Sequence, residues 1–262
     1  MIKIGMVSLG CAKNLVDSEM ILGMLKEGNY EIVTDPSQAD GIIVNTCGFI
    51  EDAKQEAINT ILEMAQYHKK LIVVGCLVQR YEQELKEQIP EVDLFVSIKD
   101  YPTINARINA LFNDDSLKEG LCPMHRVIST PSFTAYLKIS EGCNNCCTYC
   151  AIPLIRGGFR SFPLNNLINE AKMLAKNGAK ELVVISQDTT RYGSDFKDGT
   201  TIVSLLKELL KIKELEYIRM LYLYPNEVSD ELLHLMNDEP RLTPYFDLPI
   251  QHASSRILKA MN

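Results

Sequence analysis

The stretch Cys143-Asn144-Asn145-Cys146-Cys147-Thr148-Tyr149-Cys150 contains four of the eight cysteines in this chain. Read as Cys143-x3-Cys147-x2-Cys150, it offers three thiolates from one short loop. Three thiolates suit a four-iron cluster that keeps one iron without a protein ligand, where a small molecule can bind and react. A structural zinc site normally has four protein ligands and no open position. The loop therefore predicts an iron–sulfur centre that performs chemistry.

Two other readings of this loop are weaker. Structural zinc usually draws on two Cys-x2-Cys pairs separated by ~12–20 residues, whereas the two pairs here abut and would cramp a four-thiolate cage. A redox-active thiol pair would leave two further thiols unexplained. Cys146 is ambiguous in the iron–sulfur reading and is left out of the ligand set. Cys122 lies in a predicted linker and is interpreted as a bystander.

Apolar strands alternate with helices on both sides of a Pro- and Gly-containing break. This pattern is typical of parallel sheets covered by helices. We predict an α/β protein with an amino-terminal open parallel sheet and flanking helices in residues 1–118, a linker in 119–132, and a partial (β/α) barrel in 133–262.

The second region contains about four predicted βα units, where a closed barrel has eight. Its last strand is predicted over residues 246–250. The chain stops within a predicted helix, so we expect a fragment of a longer protein, truncated at the carboxyl end.

A second set of cysteines follows three predicted strands of the first region. Cys11, Cys47 and Cys76 each come just after a strand and have Gly10, Gly48 or Gly75 beside them. The carboxyl ends of parallel strands gather at one edge of an open sheet, where ligands bind. The pattern predicts that the three thiolates converge on a second cluster, again with an open iron. The alternative is three ordinary half-buried cysteines.

Other polar residues are weaker candidates. The segments 187–189, 222–226 and 248–252 each lie at a predicted strand end of the second region, the position of active sites in βα barrels, and are predicted to line one cavity. Arg156 and Arg160 either meet a carboxylate or phosphate or are simply solvated. His68 and His125 are interpreted as surface or linker residues.

Bulk properties narrow the class of protein. The chain has 262 residues and a formal net charge of −7, so it has no bulk basic footprint for nucleic acid. No apolar run approaches the ~18–20 residues that cross a bilayer, and the start lacks a signal-peptide pattern. We expect a cytoplasmic protein without a membrane partner, whose cysteines stay reduced.

The chain resembles the radical S-adenosylmethionine (SAM) enzymes, and within them the methylthiotransferases. The resemblance lies in Cys143-x3-Cys147-x2-Cys150 after a strand, in its context from Lys138 to Asn144, and in the trio Cys11, Cys47 and Cys76. The segment from Ser8 to Glu19 is similar to the RimO type, which modifies an aspartate of a small-subunit ribosomal protein. The segments 185–189 and 249–254 also look like this type. The match runs from Ile2 to the last residue.

This resemblance implies two [4Fe-4S] clusters and SAM as cofactors. Cys143, Cys147 and Cys150 would hold the cluster that cleaves SAM, and Cys11, Cys47 and Cys76 the cluster that carries the sulfur to be methylated and transferred. Tyr149 would contact the adenine, and Gln187 and Asp188 would help hold SAM. The implied substrate is the β-carbon of the ribosomal-protein aspartate, and the implied electron donor is a flavodoxin or ferredoxin. Both clusters would have to face one cavity.

Two departures from the family pattern stand out. Cys146 occupies a position where relatives often carry a basic residue, and we expect the carboxyl-terminal β-barrel that the family associates with substrate binding to be missing from this fragment.

Three rival functions remain at this point. A tRNA methylthiotransferase usually shows Gln and Asn soon after the first cysteine, where this chain has Ala12-Lys13-Asn14. A two-cluster electron carrier would be compact, with closed cysteine sets. A zinc-stabilised interaction module would bind zinc and no iron.

Overall fold

The computed structural model describes residues 1–261, which form two compact units, the first comprising residues 1–129 and the second beginning at Thr130. The first unit alternates strands and helices in this order: β1 (Ile2–Ser8), α1 (Ala12–Glu27), β2 (Tyr30–Val33), β3 (Gly41–Thr46), α2 (Glu51–Ala65), β4 (Lys70–Gly75), α3 (Cys76–Gln88), β5 (Leu94–Ser97) and α4 (Ile104–Phe112). Short 3₁₀ turns cover residues 36–38, 98–103 and 123–125.

The five strands form one parallel sheet in the order β2-β1-β3-β4-β5. Successive side chains point to opposite faces of a strand, and in β4 this splits the apolar residues between two cores. Ile72 and Val74 pack with α1 and α4 on one face, whereas Leu71 and Val73 pack with α2 and α3 on the other. Both faces are therefore buried, which confirms the predicted open parallel sheet.

The edge strand β2 is absent from the sequence-based prediction. It has only four residues and follows the Gly28-Asn29 helix stop directly. A strand this short carries too little alternation to be distinguished from a loop.

The segment predicted as a linker is partly folded onto the first unit. Arg126 donates to Glu19 of α1 at 2.6 Å, and both side chains are almost fully buried. The backbone N–H and hydroxyl of Ser129 also donate to Glu19, each at 2.8 Å. The predicted domain boundaries stay a prediction, but residues 126–129 are fixed to α1 rather than free.

The second unit begins with three parallel strands, in the sheet order β10-β9-β6, and a small antiparallel pair, β7 with β8. Its elements are β6 (Thr134–Lys138), β7 (Ser140–Glu141), α5 (Ile152–Arg156), β8 (Arg160–Ser161), α6 (Leu164–Lys176), β9 (Glu181–Ile185), α7 (Ile202–Leu209), β10 (Tyr217–Met220), α8 (Asp230–Asp238) and α9 (Ser255–Met261), with 3₁₀ turns at 189–191 and 225–227. This arrangement agrees with the predicted partial (β/α) barrel.

The strand predicted over residues 246–250 is wrong, because this segment is irregular. Pro244 and Pro249 flank its centre, and proline has no N–H to donate to a sheet. The chain is held beside β10 by a single bridge between Ile218 and Leu242. Further along, the N–H of Leu223 donates to the carbonyl of Asp247 at 3.0 Å.

The lengths and compositions of the helices bear on whether one of them could cross a membrane. Within residues 1–261, none has the length and apolar character that crossing a bilayer requires.

Candidate iron–sulfur sites

The first cysteine triplet lies at the carboxyl edge of the five-stranded sheet. Cys47 follows β3 directly, Cys76 is the first residue of α3 after β4, and Cys11 precedes the first turn of α1. Strands β1, β3 and β4 are neighbours in the sheet, so the three loops leave it side by side. Cys47 and Cys76 are 8% and 6% exposed, and Cys11 is half-buried.

Glycines let these loops pack closely on one another. A Cβ atom on Gly10 would lie 2.6 Å from the Cβ of Cys47, and one on Gly48 would lie 2.8 Å from the Cα of Leu77. Real Cβ atoms do not approach so closely, so any larger residue would push the loops apart. The close approach that the glycines permit is thus between the cysteine loops themselves.

The donor set of this edge consists of thiols. No group of three or more His, Cys, Asp or Glu side chains in residues 1–261 is drawn together tightly enough to hold one metal ion. A four-iron cluster binds each cysteine through a different iron, so its ligands lie further apart than those of a single ion. Three thiols from neighbouring loops are the type of donor that such clusters use, and their assignment as ligands stays a prediction.

The second triplet lies in the loop between β7 and α5. The N–H of Cys143 donates to the carbonyl of Gly157 at 3.1 Å, and the N–H of Cys150 donates to the carbonyl of Cys147 at 2.9 Å. Cys143, Cys147 and Cys150 are all half-buried, whereas Cys146 is exposed and has a φ of +49°. Cys146 therefore differs from the three predicted ligands in being exposed to solvent.

The sulfurs of this loop are close enough to affect one another. Burial raises the pKa of the Cys143 thiol, the N–H of Asn145 lowers it, and the charges of Asp188, Cys150 and Cys147 raise it. The N–H of Asn145 donates to the sulfur of Cys143 at 3.4 Å. Metal binding requires thiolates and therefore releases these protons.

A buried ionic cluster stands beside this loop. Lys138 and Arg156 both contact one oxygen of Glu141, at 3.1 and 3.2 Å, and Gln187 donates to the other oxygen at 2.9 Å. Burial by itself would raise the pKa of Glu141, but the charges of Lys138 and Arg156 outweigh it and lower the pKa to about 2. Arg156 is thus committed to a carboxylate of the protein, which is one of the two roles predicted for it.

Asp188 and Gln187 meet different parts of the site. Asp188 is 2% exposed and accepts hydrogen bonds from Asn145 at 3.1 Å and from Thr190 at 2.6 Å. The oxygen Oε1 of Gln187 is buried and has no hydrogen-bond partner among residues 1–261. Gln187 therefore has a spare acceptor, whereas both oxygens of Asp188 are engaged by the protein. Their predicted contacts with SAM stay a prediction.

Two cavities lie next to the loop. The smaller, of about 220 Å³, is lined by Gln187, Asp188, Tyr222 and Pro249 among others. All three segments predicted to line one cavity contribute to it. The larger, of about 420 Å³, is lined by Cys147, Tyr149 and Gln251 and by further residues that include both apolar side chains and the polar Asn226 and Lys259.

Tyr149 lies at the larger cavity and remains about half exposed. Its hydroxyl donates to Gln251 at 2.8 Å. Partial burial and the sulfurs of Cys147 and Cys150 raise the pKa of the Tyr149 phenol. Its position beside the predicted ligand Cys147 is compatible with the predicted contact to adenine.

The remaining candidates lie outside these sites. His68 is exposed in the turn after α2, and the Nδ1 atom of His125 lies 4.0 Å from a carboxylate oxygen of Glu27. Arg160 is exposed, and its guanidinium carbon lies 6.0 Å from the centre of the Phe162 ring. Cys122 is half-buried in the first unit, and none of the eight cysteines forms a disulfide.

The Glu141 cluster was missed by the sequence reasoning, although one signal was present. Lys138 ends β6 directly after the buried Leu137 and is itself buried, and a buried lysine needs a partner. The sequence does not say which acidic residue provides it.

Comparison with known proteins agrees with this architecture. Residues 3–97 match the model of the uncharacterized protein family UPF0004, and residues 137–262 match that of the radical SAM superfamily. The chain is 51% identical to the ribosomal protein uS12 methylthiotransferase RimO of Alkaliphilus oremlandii and 50% identical to that of Clostridium novyi, with 99% of the chain aligned in each case. It spans about 60% of the length of these curated relatives.

Solved structures share the fold at low identity. The radical SAM methyltransferase TsrM from Kitasatospora setae gives a TM-score of 0.66 at 11% identity, over 98% of this chain and 60% of that one. The cobalamin-dependent SAM radical enzyme OxsB gives 0.65 at 14% identity, over 100% of this chain and 45% of that one.

The three-cysteine loop and the βα architecture define the second unit as a radical SAM domain. With its relatives near 50% identity, the chain belongs to the methylthiotransferase family of radical SAM proteins, RimO type.

Proposed function

We propose that this chain is the part of a methylthiotransferase that carries both of its iron–sulfur clusters. The reaction would replace a hydrogen on the β-carbon of an aspartate in the small-subunit ribosomal protein uS12 by a methylthio group. The observation that carries the proposal is the pair of cysteine triplets, one at the carboxyl edge of the five-stranded parallel sheet and one in the loop between β7 and α5, in a chain with relatives bearing that name at about 50% identity.

The two triplets would divide the chemistry. The clusters supply, when bound, reductive cleavage of SAM at Cys143, Cys147 and Cys150 and delivery of a sulfur atom from Cys11, Cys47 and Cys76. The protein would bind and orient the clusters and SAM, and it would exclude water from them.

The protein residues near the second triplet would orient SAM. Gln187 is fixed on one side by Glu141 and lines the smaller cavity, and its oxygen Oε1 is buried without a hydrogen-bond partner in the described chain. An ammonium group, such as the amino group of SAM, would satisfy that acceptor. Tyr149 would contact the adenine from the larger cavity, and Asp188 would act by holding Asn145 and the cysteine loop.

The partners follow from this chemistry. Cleavage of SAM needs one electron from outside, and a flavodoxin or ferredoxin is the class of donor that supplies it. The substrate is a ribosomal protein, so the cytoplasm is the proposed compartment.

Anaerobic reconstitution of single-cysteine variants tests the proposal. The unaltered chain should bind about eight irons, as two four-iron clusters do, and Cys47→Ala and Cys147→Ala should each bind about four. Cys47→Ala should still cleave SAM but attach no methylthio group to the ribosomal protein, whereas Cys147→Ala should lose SAM cleavage. Chromatography of SAM products and mass analysis of the ribosomal protein report the two activities.

Two results would overturn the proposal. One is an unaltered chain that binds only about four irons, all of them retained in Cys47→Ala. The other is a loss of SAM cleavage in Cys47→Ala while its second cluster remains intact. Cys122→Ala is the matched control, because this cysteine lies outside both triplets and should leave iron content and SAM cleavage unchanged.

A further inference from the structure

One amide side chain links the three loops of the first triplet. Asn14 lies on the first turn of α1, three residues after Cys11, and is fully buried. Its amide nitrogen donates to the carbonyl of Leu9 at 3.1 Å and to the carbonyl of Thr46 at 2.8 Å. Its oxygen accepts from the thiol of Cys76 at 3.4 Å. Each contact falls on a cysteine or within two residues of one.

The orientation of this amide follows from its partners. The carbonyls of Leu9 and Thr46 can only accept, so the NH₂ group of Asn14 must face them. Its oxygen is then left toward Cys76, where a thiol can donate. The side chain therefore fits this location in one orientation only.

The helix that carries Asn14 is itself fixed from β3. The side chain of Asn45 donates to the backbone carbonyl of Asn14 at 2.8 Å and to the hydroxyl of Ser18 at 2.9 Å. Asn45 is fully buried as well. Because Asn45 fixes the backbone of Asn14 to β3, the side chain of Asn14 has a fixed position from which it holds the cysteine loops.

We infer that Asn14 is the positioning residue of the first cysteine triplet. By tying the chain before Cys11 to the chain before Cys47, and by facing Cys76, it sets the separation of three thiols that are far apart in sequence. The inference rests on the proposed function, in which these thiols hold a cluster. Asn14 would touch neither the cluster nor the substrate, so it is not a catalytic residue.

The hydrogen bonds of Asn14 differ in whether they can persist when a metal cluster binds. Cys76 must lose its proton to become a ligand, so its hydrogen bond to Asn14 belongs to the metal-free protein. The two bonds to backbone carbonyls involve no ionisable group and persist. The positioning therefore depends on the NH₂ group, which identifies the atom to change.

Asn14→Asp keeps the shape of the side chain, replaces the NH₂ donors by an oxygen and adds a negative charge, and the control below carries the same change of charge. The test uses the full chain with Cys143, Cys147 and Cys150 changed to Ala, so that bound iron reports the first triplet only. Iron and sulfide counts, the electron paramagnetic resonance spectrum of the reduced cluster, and iron loss to a chelator are measured below the melting temperature of each variant.

Asn14→Asp should weaken iron retention by about 10–100-fold, the usual effect of losing an outer partner of a metal ligand, and should change the resonance spectrum. The control is Asn109→Asp, since Asn109 also donates its amide to a backbone carbonyl, that of Leu117 at 3.0 Å, in the same unit but away from the cysteines. It should lower the melting temperature without altering iron retention or the spectrum.

The failures of the two ideas are distinguishable. If Asn14→Asp retains iron as the parent does, or if Asn109→Asp loses as much, Asn14 is structural only and the inference is overturned while the first cluster stands. If the parent with the three alanines binds no iron, the first cluster itself is absent, and the proposed function falls together with the inference.

Discussion

The two cysteine triplets are assembled in opposite ways. Cys11, Cys47 and Cys76 come from three loops, and only the pairing of β1, β3 and β4 brings those loops together. The triplet Cys143, Cys147 and Cys150 comes from one loop and is close in sequence before any folding. The first site is therefore a product of the whole sheet, whereas the second needs only a well-held loop.

The supports of the two sites differ in the same way. Neutral amides and glycines hold the first, as in the contacts of Asn14 and the close approach of Gly10 to Cys47. Charged groups hold the second, where Lys138 and Arg156 surround Glu141. Loss of a charged partner should therefore damage the second triplet, whereas disruption of a close glycine contact should damage the first. This difference can be tested.

The largest expected effect is that of Glu141→Gln on the second triplet. Removing the carboxylate leaves Lys138 and Arg156 buried without their anion, and breaking a buried pair in this way costs about 3–5 kcal/mol of unfolding free energy. Urea unfolding of the metal-free chain, followed by circular dichroism, measures the loss.

The control for this change is Glu231→Gln, which breaks the exposed pair with Lys207 in the same unit. It should cost less than about 1 kcal/mol, as exposed pairs do. Iron bound at Cys11, Cys47 and Cys76 should be unchanged in both variants. Equal losses for the two substitutions would show that the buried cluster does not support the loop.

The next largest effect is that of Gly10→Ala on the first triplet. Gly10 has a φ of +86°, and an added Cβ would lie 2.6 Å from the Cβ of Cys47. Backbone strain and the clash each cost about 1–3 kcal/mol. The two costs are not independent, since a backbone shift that relieves the clash also relaxes φ, so we expect a loss of about 2–4 kcal/mol rather than their full sum, with weaker iron binding at the first triplet and intact SAM cleavage at the second.

Gly199→Ala is the matched control for Gly10→Ala. Gly199 has a φ of +80° but nothing within 4 Å of the added Cβ, so only the backbone strain applies. If the two variants lose the same stability and neither loses iron, the packing of Gly10 on Cys47 does not shape the site.

The sequence was sufficient for the features that depend on local pattern. Alternating apolar strands and helices predicted both α/β regions, and the cysteine loop predicted its own position after a strand. Where the local pattern was short or ambiguous, the prediction failed. The four residues of β2 were missed, and residues 246–250 were predicted as a strand although Pro244 and Pro249 prevent regular pairing.

The features that depend on distant residues were beyond sequence reasoning. Asn14 meets Thr46 and Cys76 across 32 and 62 positions of the chain, and no local pattern specifies those partners. The same holds for Glu141, whose partner Gln187 is 46 positions away. Tertiary hydrogen bonds of this kind become visible only once the sheet places its loops side by side.

The smallest effect is expected for Asn145→Ala, which sharpens the comparison within the second loop. The side chain of Asn145 donates to Asp188 at 3.1 Å, while its backbone N–H to Cys143 survives the change. A hydrogen bond to a charged group contributes about 1.5–3 kcal/mol, and the partial burial of this one favours the lower figure. The variant should be destabilised by about 1.5 kcal/mol and should lose iron from the second triplet faster to a chelator, with the first triplet unaffected.

The control for this change is Asn237→Ala, which removes an exposed hydrogen bond to Asp238 and should change neither the stability nor the rate of iron loss. If Asn145→Ala behaves like that control, the loop keeps its shape through its backbone alone, and the charged support assigned to it would shrink to the Glu141 cluster.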